Sequence, residues 1–111
     1  MKLFVAVIEE EEDLDEILEA FKEIGIQGVT ILDSMGTGHL LTEDVSIFGR
    51  LTKFTESNKK SNKTLFTVVK DERTMEKVVT IIEEIVGDLD HRHSAFFFTL
   101  SLNQVKGLTT L

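Results

Sequence analysis

Residues Leu3-Phe-Val-Ala-Val-Ile8, "LFVAVI", are apolar at six successive positions. Side chains alternate across a strand, so Leu3, Val5 and Val7 share one face and Phe4, Ala6 and Ile8 the other. A strand wetted on one side alternates polar with apolar. A short two-sided run rich in β-branched residues reads instead as a strand covered on both faces. The fold must therefore hide both sides of the sheet that contains it.

After this strand, Leu14, Ile17, Leu18, Phe21 and Ile24 repeat at helical spacing. Asp13 caps that helix with Glu16 three residues later, the acidic run "EEEED" suits the helix dipole, and Gly25 stops it. "GVTILDSM" (28–35) reads as a second strand, with Val29 and Ile31 on one face and Thr30, Leu32 and Ser34 on the other. "TLFTVV" (64–69) is a third. Asp71 opens a second helix whose Met75, Val78, Val79, Ile82, Ile85 and Val86 form an apolar stripe, ended by Gly87. "SAFFFTLSL" (94–102) is the fourth strand, with Phe96, Phe98, Leu100 and Leu102 alternating against Ala95, Phe97, Thr99 and Ser101. The order βαββαβ, with right-handed crossovers, predicts a ferredoxin-like α+β sandwich. One antiparallel four-stranded sheet carries both helices on the same face, in a single domain over 1–111.

Two helices cover one side only. The reading leaves Phe4, Ala6, Ile8, Leu32, Leu65, Val69 and Phe97 on the other. Exposing Phe4, Ile8 and Phe97 alone forgoes about 1.5–3 kcal/mol each, and monomers seldom show so large a patch. Another chain is expected to cover it. Between strands two and three, the insertion 40–63 is long for so small a protein, and such connections tend to carry function. Val45, Ile47, Phe48, Leu51 and Phe54 follow helical spacing, so "EDVSIFGRLTKF" (43–54) is expected to form a short amphipathic helix.

The chain has 111 residues, of which 41% are hydrophobic and 29% charged, an ordinary globular balance. It has no cysteine, which excludes disulfides and thiolate chemistry, and no tyrosine or tryptophan. The opening "MKLFVAVI" is too short to span a bilayer and runs straight into acidic residues, so a soluble, cytoplasmic, non-membrane protein is expected. A net charge of −8 argues against nucleic acid. The exception is local: Arg50, Lys53, Lys59, Lys60 and Lys63 stand against Glu56, a net +4 over 50–63 that leaves −12 elsewhere. No nucleophile elbow or triad order is present, and "GTG" (36–38) lacks the rest of a dinucleotide fingerprint. The chain is thus not expected to be an enzyme. Two glycines at a strand end instead let backbone N–H groups approach a ligand or a neighbouring chain. In "DLDHRH", Asp88, Asp90, His91 and His93 offer a metal set, with His91 and His93 as the ligands, although histidines two apart point oppositely on a strand.

The sequence resembles the PII signal-transduction family, the nitrogen-regulatory proteins and their relatives, over essentially its whole length. The resemblance rests on "LDEILEAFKEIGIQGVT" (14–30) leading to "GTGH" (36–39), on "TVVKDERTMEKVVTIIEEIVGD" (67–88) and on "FFFTLSLNQVKGL" (96–108), the last closer to a PII-like subgroup. It implies a homotrimer with sheets packed at the centre. It further implies adenine nucleotides (AMP, ADP or ATP) bound in inter-subunit clefts, and a long loop that controls a partner enzyme or transporter through a population shift. By position, Thr30 faces the adenine, and Gly36 and Gly38 flank the ligand around Thr37. His39 stands where many members have arginine, exchanging a permanent charge for one that titrates near neutrality. Ser34, Arg92 and Lys106 complete the candidate ligand set. "GDLDHRHS" (87–94) departs from the family's glycine- and lysine-rich segment, so a triphosphate finds few cations. Without tyrosine, control by nucleotidylation of a loop tyrosine is excluded. Two rival readings share the element order: a metal-binding, divalent-cation-tolerance module, and an ACT-like amino-acid-binding domain.

Overall fold

The computed structural model describes residues 1–26, 28–36, 62–87 and 95–108. Six elements follow in the expected order: β1 (Lys2–Ile8), α1 (Glu11–Glu23), β2 (Thr30–Ser34), β3 (Asn62–Val69), α2 (Glu72–Val86) and β4 (Ala95–Ser101). The strands form one sheet in the order β2-β3-β1-β4, each neighbouring pair antiparallel. This is the ferredoxin-like α+β fold. The expected helix at 43–54 lies outside the described residues.

Both helices form for the reasons their sequences give, though α1 starts differently than expected. It begins at Glu11, with Glu10 in the cap position making no side-chain cap bond, so Asp13 is not the cap. Glu11, Glu12 and Asp13 fill the first turn instead, where the helix dipole favours negative charge without a specific hydrogen bond. The other end closes as a Schellman turn. Gly25 N–H donates to the Lys22 carbonyl at 3.1 Å, and Ile26 N–H donates to the Phe21 carbonyl at 2.9 Å. Gly25 has φ +91°, a conformation that favours glycine. In α2, Asp71 caps as the sequence predicts, its carboxylate accepting from Thr74 N–H at 2.8 Å.

The core lies between the helices and one sheet face. Leu14, Ile17 and Phe21 of α1 and Met75, Val78, Ile82 and Val86 of α2 are buried against Phe4, Ala6, Ile8, Leu65, Val69 and Ala95. Phe4 sits at the centre, with an edge contact to Phe21 at 6.2 Å and a stacked contact to Phe97 at 5.4 Å between ring centroids.

This overturns the sequence reading of which face is open. Phe4, Ala6, Ile8, Leu65, Val69 and Phe97 were expected on the uncovered side, yet they belong to the helix-covered core or pack against it. The uncovered face carries the opposite register. Val5 stands between Phe66 and Phe98, Val7 between Thr64 and Phe96, and Leu3 between Val68 and Leu100. Thr30, Leu32 and Ser34 extend that face onto β2. Phe96, Phe98 and Leu100 are 56%, 45% and 51% exposed. When both registers are apolar, hydropathy cannot say which faces the helices, and a one-residue shift exchanges them completely. That the sheet has two apolar faces was correct, and Leu32 does stand on the open one, 52% exposed; for Phe4, Ala6, Ile8, Leu65, Val69 and Phe97 the assignment was reversed.

The strand bounds also differ. β3 starts at Asn62, so Asn62 and Lys63, read as part of the insertion, belong to the sheet. Their polarity is satisfied across the ladder, Lys63 pairing with Asp33 and Asn62 standing opposite Ser34.

Candidate functional site

The β2–β3 ladder has five rungs, from Thr30↔Phe66 to Ser34↔Asn62. β3 continues to Val69, whereas the chain before Thr30 leaves the ladder. Thr67 crosses this parting, its hydroxyl donating to the Gly28 carbonyl at 2.6 Å. Gly25 and Gly28 contribute no side chains there, and an added Cβ at either meets nothing within 4 Å. A cavity of about 460 Å³ results, within the range of small-molecule sites.

Its walls come from four parts of the chain: Ile24, Ile26 and Val29 beside α1, Thr30 on β2, Phe66 to Val69 on β3, and Lys70, Asp71 and Thr74 at the start of α2. Leu108 of the C-terminal tail adds a further wall. The lining is mixed: aliphatic and phenyl groups stand beside three threonines, Thr30, Thr67 and Thr74, and one opposite-charge pair of neighbours, Lys70 and Asp71. The Thr74 amide, by its hydrogen bond, holds the Asp71 carboxyl below the usual carboxylate range.

Of the candidate ligand residues, Thr30 lines the cavity. Ser34 stands at the far end of the same ladder, at the stem of the insertion. Its hydroxyl donates to Asn62 Oδ1 at 2.6 Å and lies 2.7 Å from Thr64 Oγ1. Serine has a single hydroxyl proton, so with that proton on Asn62 the Thr64 hydroxyl donates back to Ser34. On the other face of the sheet the Asp33–Lys63 ion pair clasps the same stem, and its hydrogen bond raises the lysine's pKa above the ordinary value. Gly36 follows the stem. A Cβ placed there meets Asn62 Nδ2 at 3.6 Å, an ordinary contact, and the backbone is not in the left-handed region. Among the described residues, then, nothing demands glycine at 36. Lys106 is exposed and does not line the cavity.

Thr37, Gly38, His39 and Arg92 lie outside the described residues, as do Asp88, Asp90, His91 and His93. Among the described residues no three His, Cys, Asp or Glu side chains group to hold a metal ion. None of their helices is long and apolar enough to cross a membrane.

Sequence reasoning missed Phe66, Val68, Lys70 and Leu108 as lining residues. Phe66 and Val68 read only as residues of the third strand, and the start of β2 at Thr30, opposite Phe66, leaves this end of β3 open to the cavity. A usable signal did exist: the glycine pair in "GIQG" (25–28) empties one wall of side chains, and Gly107 precedes Leu108.

The family described as nitrogen regulatory protein P-II matches this chain over residues 1–110. No curated protein matches it.

Proposed function

The chain belongs to the nitrogen regulatory protein P-II family, and from that premise we propose that it acts as a trimeric sensor of a small metabolite. Proteins of this family are signalling regulators and not enzymes, typically trimers that bind effectors and target proteins. The chain is a signalling protein of that kind. In the proposal three copies bury the open sheet faces against one another. An adenine nucleotide binds beside Thr30 in a cleft completed by a neighbouring copy, and its arrival shifts the insertion 40–63 between conformations that a partner enzyme or transporter reads. The basic half of the insertion meets an acidic surface of that partner. The setting is the cytoplasm.

One observation carries this reading. Thr30, the position that the family resemblance sets against the adenine, lines the cavity, the one candidate among the described residues to do so, and it lies on the uncovered face of the sheet. Support also comes from that face itself, whose exposed phenylalanines and leucines need cover. Gly36, Thr37, Gly38, His39, Arg92 and Lys106 are the proposed contacts to the rest of the ligand. Ser34 is assigned a supporting place at the stem of the insertion. With few cations among these residues, AMP and ADP are expected to bind more tightly than ATP.

The test is calorimetric titration of the purified trimer with AMP, ADP and ATP, beside a Thr30→Val variant. The expected result is binding of at least one nucleotide, weakened about five- to tenfold by loss of the hydroxyl's hydrogen bond. No heat with any of the three removes the nucleotide claim.

A further inference from the structure

The five-residue strand β2 is the part of the sheet that the core does not hold. None of its residues is buried, and none belongs to the apolar cluster under the helices or packs against it. Ile31 shows why. It is on the helix side, opposite the fully buried Leu65, yet is 40% exposed, so the helices stop short of this edge. A strand without buried apolar contacts stays in place by its ladder and by what ties its ends. Those ties are unequal. Just before β2, the Thr67 hydroxyl donates to the Gly28 carbonyl. At the last rung, the Ser34 hydroxyl donates to Asn62 Oδ1 at 2.6 Å and stands 2.7 Å from the Thr64 hydroxyl. Asn62 is only 8% exposed, so water does not readily replace the serine. The Asp33–Lys63 ion pair on the opposite face is exposed, where such pairs contribute little.

We infer that β2 opens and closes against β3 as one unit, and that the Ser34–Asn62–Thr64 cluster is its latch. Ser34 is then a positioning residue. It holds the last rung closed, and with it the point where the insertion leaves the sheet. The same strand carries Thr30 at its other end, about 13 Å away at the rise of an extended chain. Filling the cavity beside Thr30 and closing the latch at Ser34 therefore favour the same state of the same strand. That coupling rests on the reading of the cavity as a ligand site; the latch itself does not.

Amide hydrogen exchange of the full chain, followed by NMR, tests this at the β3-facing amides of 30–34 and, for reference, in β1. Ser34→Ala removes the donor and strands the Asn62 oxygen. Exchange is expected to rise about tenfold across all of 30–34, with β1 and α2 unchanged. Thr64→Val removes the bond back to Ser34 and is expected to speed the same amides about fivefold. Asp33→Asn is expected to change them at most about threefold. Saturating AMP or ADP is expected to slow exchange at Asp33 and Ser34 as well as at Thr30. Unchanged exchange in Ser34→Ala overturns the latch, and so does an equal rise in β1, which would mean general loosening. An Asp33→Asn effect larger than that of Ser34→Ala overturns it too. A rise confined to Asp33 and Ser34, or nucleotide protection confined to Thr30, overturns the single unit. If calorimetry detects no binding of AMP, ADP or ATP, the nucleotide reading falls, and the latch is judged by Ser34→Ala alone.

Discussion

The two faces of this sheet have nearly the same chemistry and opposite surroundings. Phe4, Ala6, Ile8, Leu65 and Val69 are sealed under α1 and α2, while Leu3, Val5, Val7, Phe66, Phe96, Phe98 and Leu100 stand open or half-open. Phe4 has no exposed surface, while Phe96 and Phe98, stacked at 6.4 Å from each other, remain about half in water. The difference teaches that apolarity marks what must be buried but not by what. On one side the chain covers itself; on the other it leaves an equally apolar face open.

Substitutions can break that comparison. The largest effect is expected from Phe4→Ala, which empties a ring position shared with Phe21 and Phe97. A loss of about 3–5 kcal/mol is expected, a large part of the total stability of a small protein, read as a lower midpoint in urea unfolding. Phe98→Glu strikes the open face. It is expected to abolish assembly by placing a carboxylate in the apolar patch, yet to leave the single chain's helical circular dichroism intact. Sedimentation that still shows a trimer would mean that the open face is not where copies meet.

A smaller effect sharpens the contrast at the ladder's parted end. Thr67→Val keeps the shape but removes the donor to Gly28, and is expected to cost about 1 kcal/mol and loosen the cavity wall. Hydrogen exchange near Val29 and Thr30 checks it, with faster exchange than in the parent chain. Smallest is the α2 cap. Asp71 has a lowered pKa, so its contribution is complete above the unfolded value, near 3.8, and is lost as pH falls through the folded value below it. The melting-temperature difference between the parent and Asp71→Asn is therefore expected to be present at neutral pH and to vanish in strong acid. A difference that persists there contradicts the capping role.

Some positions were legible because their reasons are local. The α2 cap needs only Asp71 and Thr74, and the α1 stop needs only Gly25. Asn62 and Lys63 were not, since polar residues join a strand only when Ser34 and Asp33 lie opposite. Thr30 was singled out by family position, whereas Leu108 reaches the same cavity from 78 residues further along the chain. No local window contains both.

By itself the sequence determined the six elements, their order and the fact of a sheet apolar on both sides, because hydrophobic period, caps and stops act over a few neighbouring residues. Only the tertiary structure decided which register the helices cover, where β2 parts from β3 and what lines the opening left there. Those depend on strand pairing and on packing between distant segments, and a pattern apolar in both registers carries no information about either.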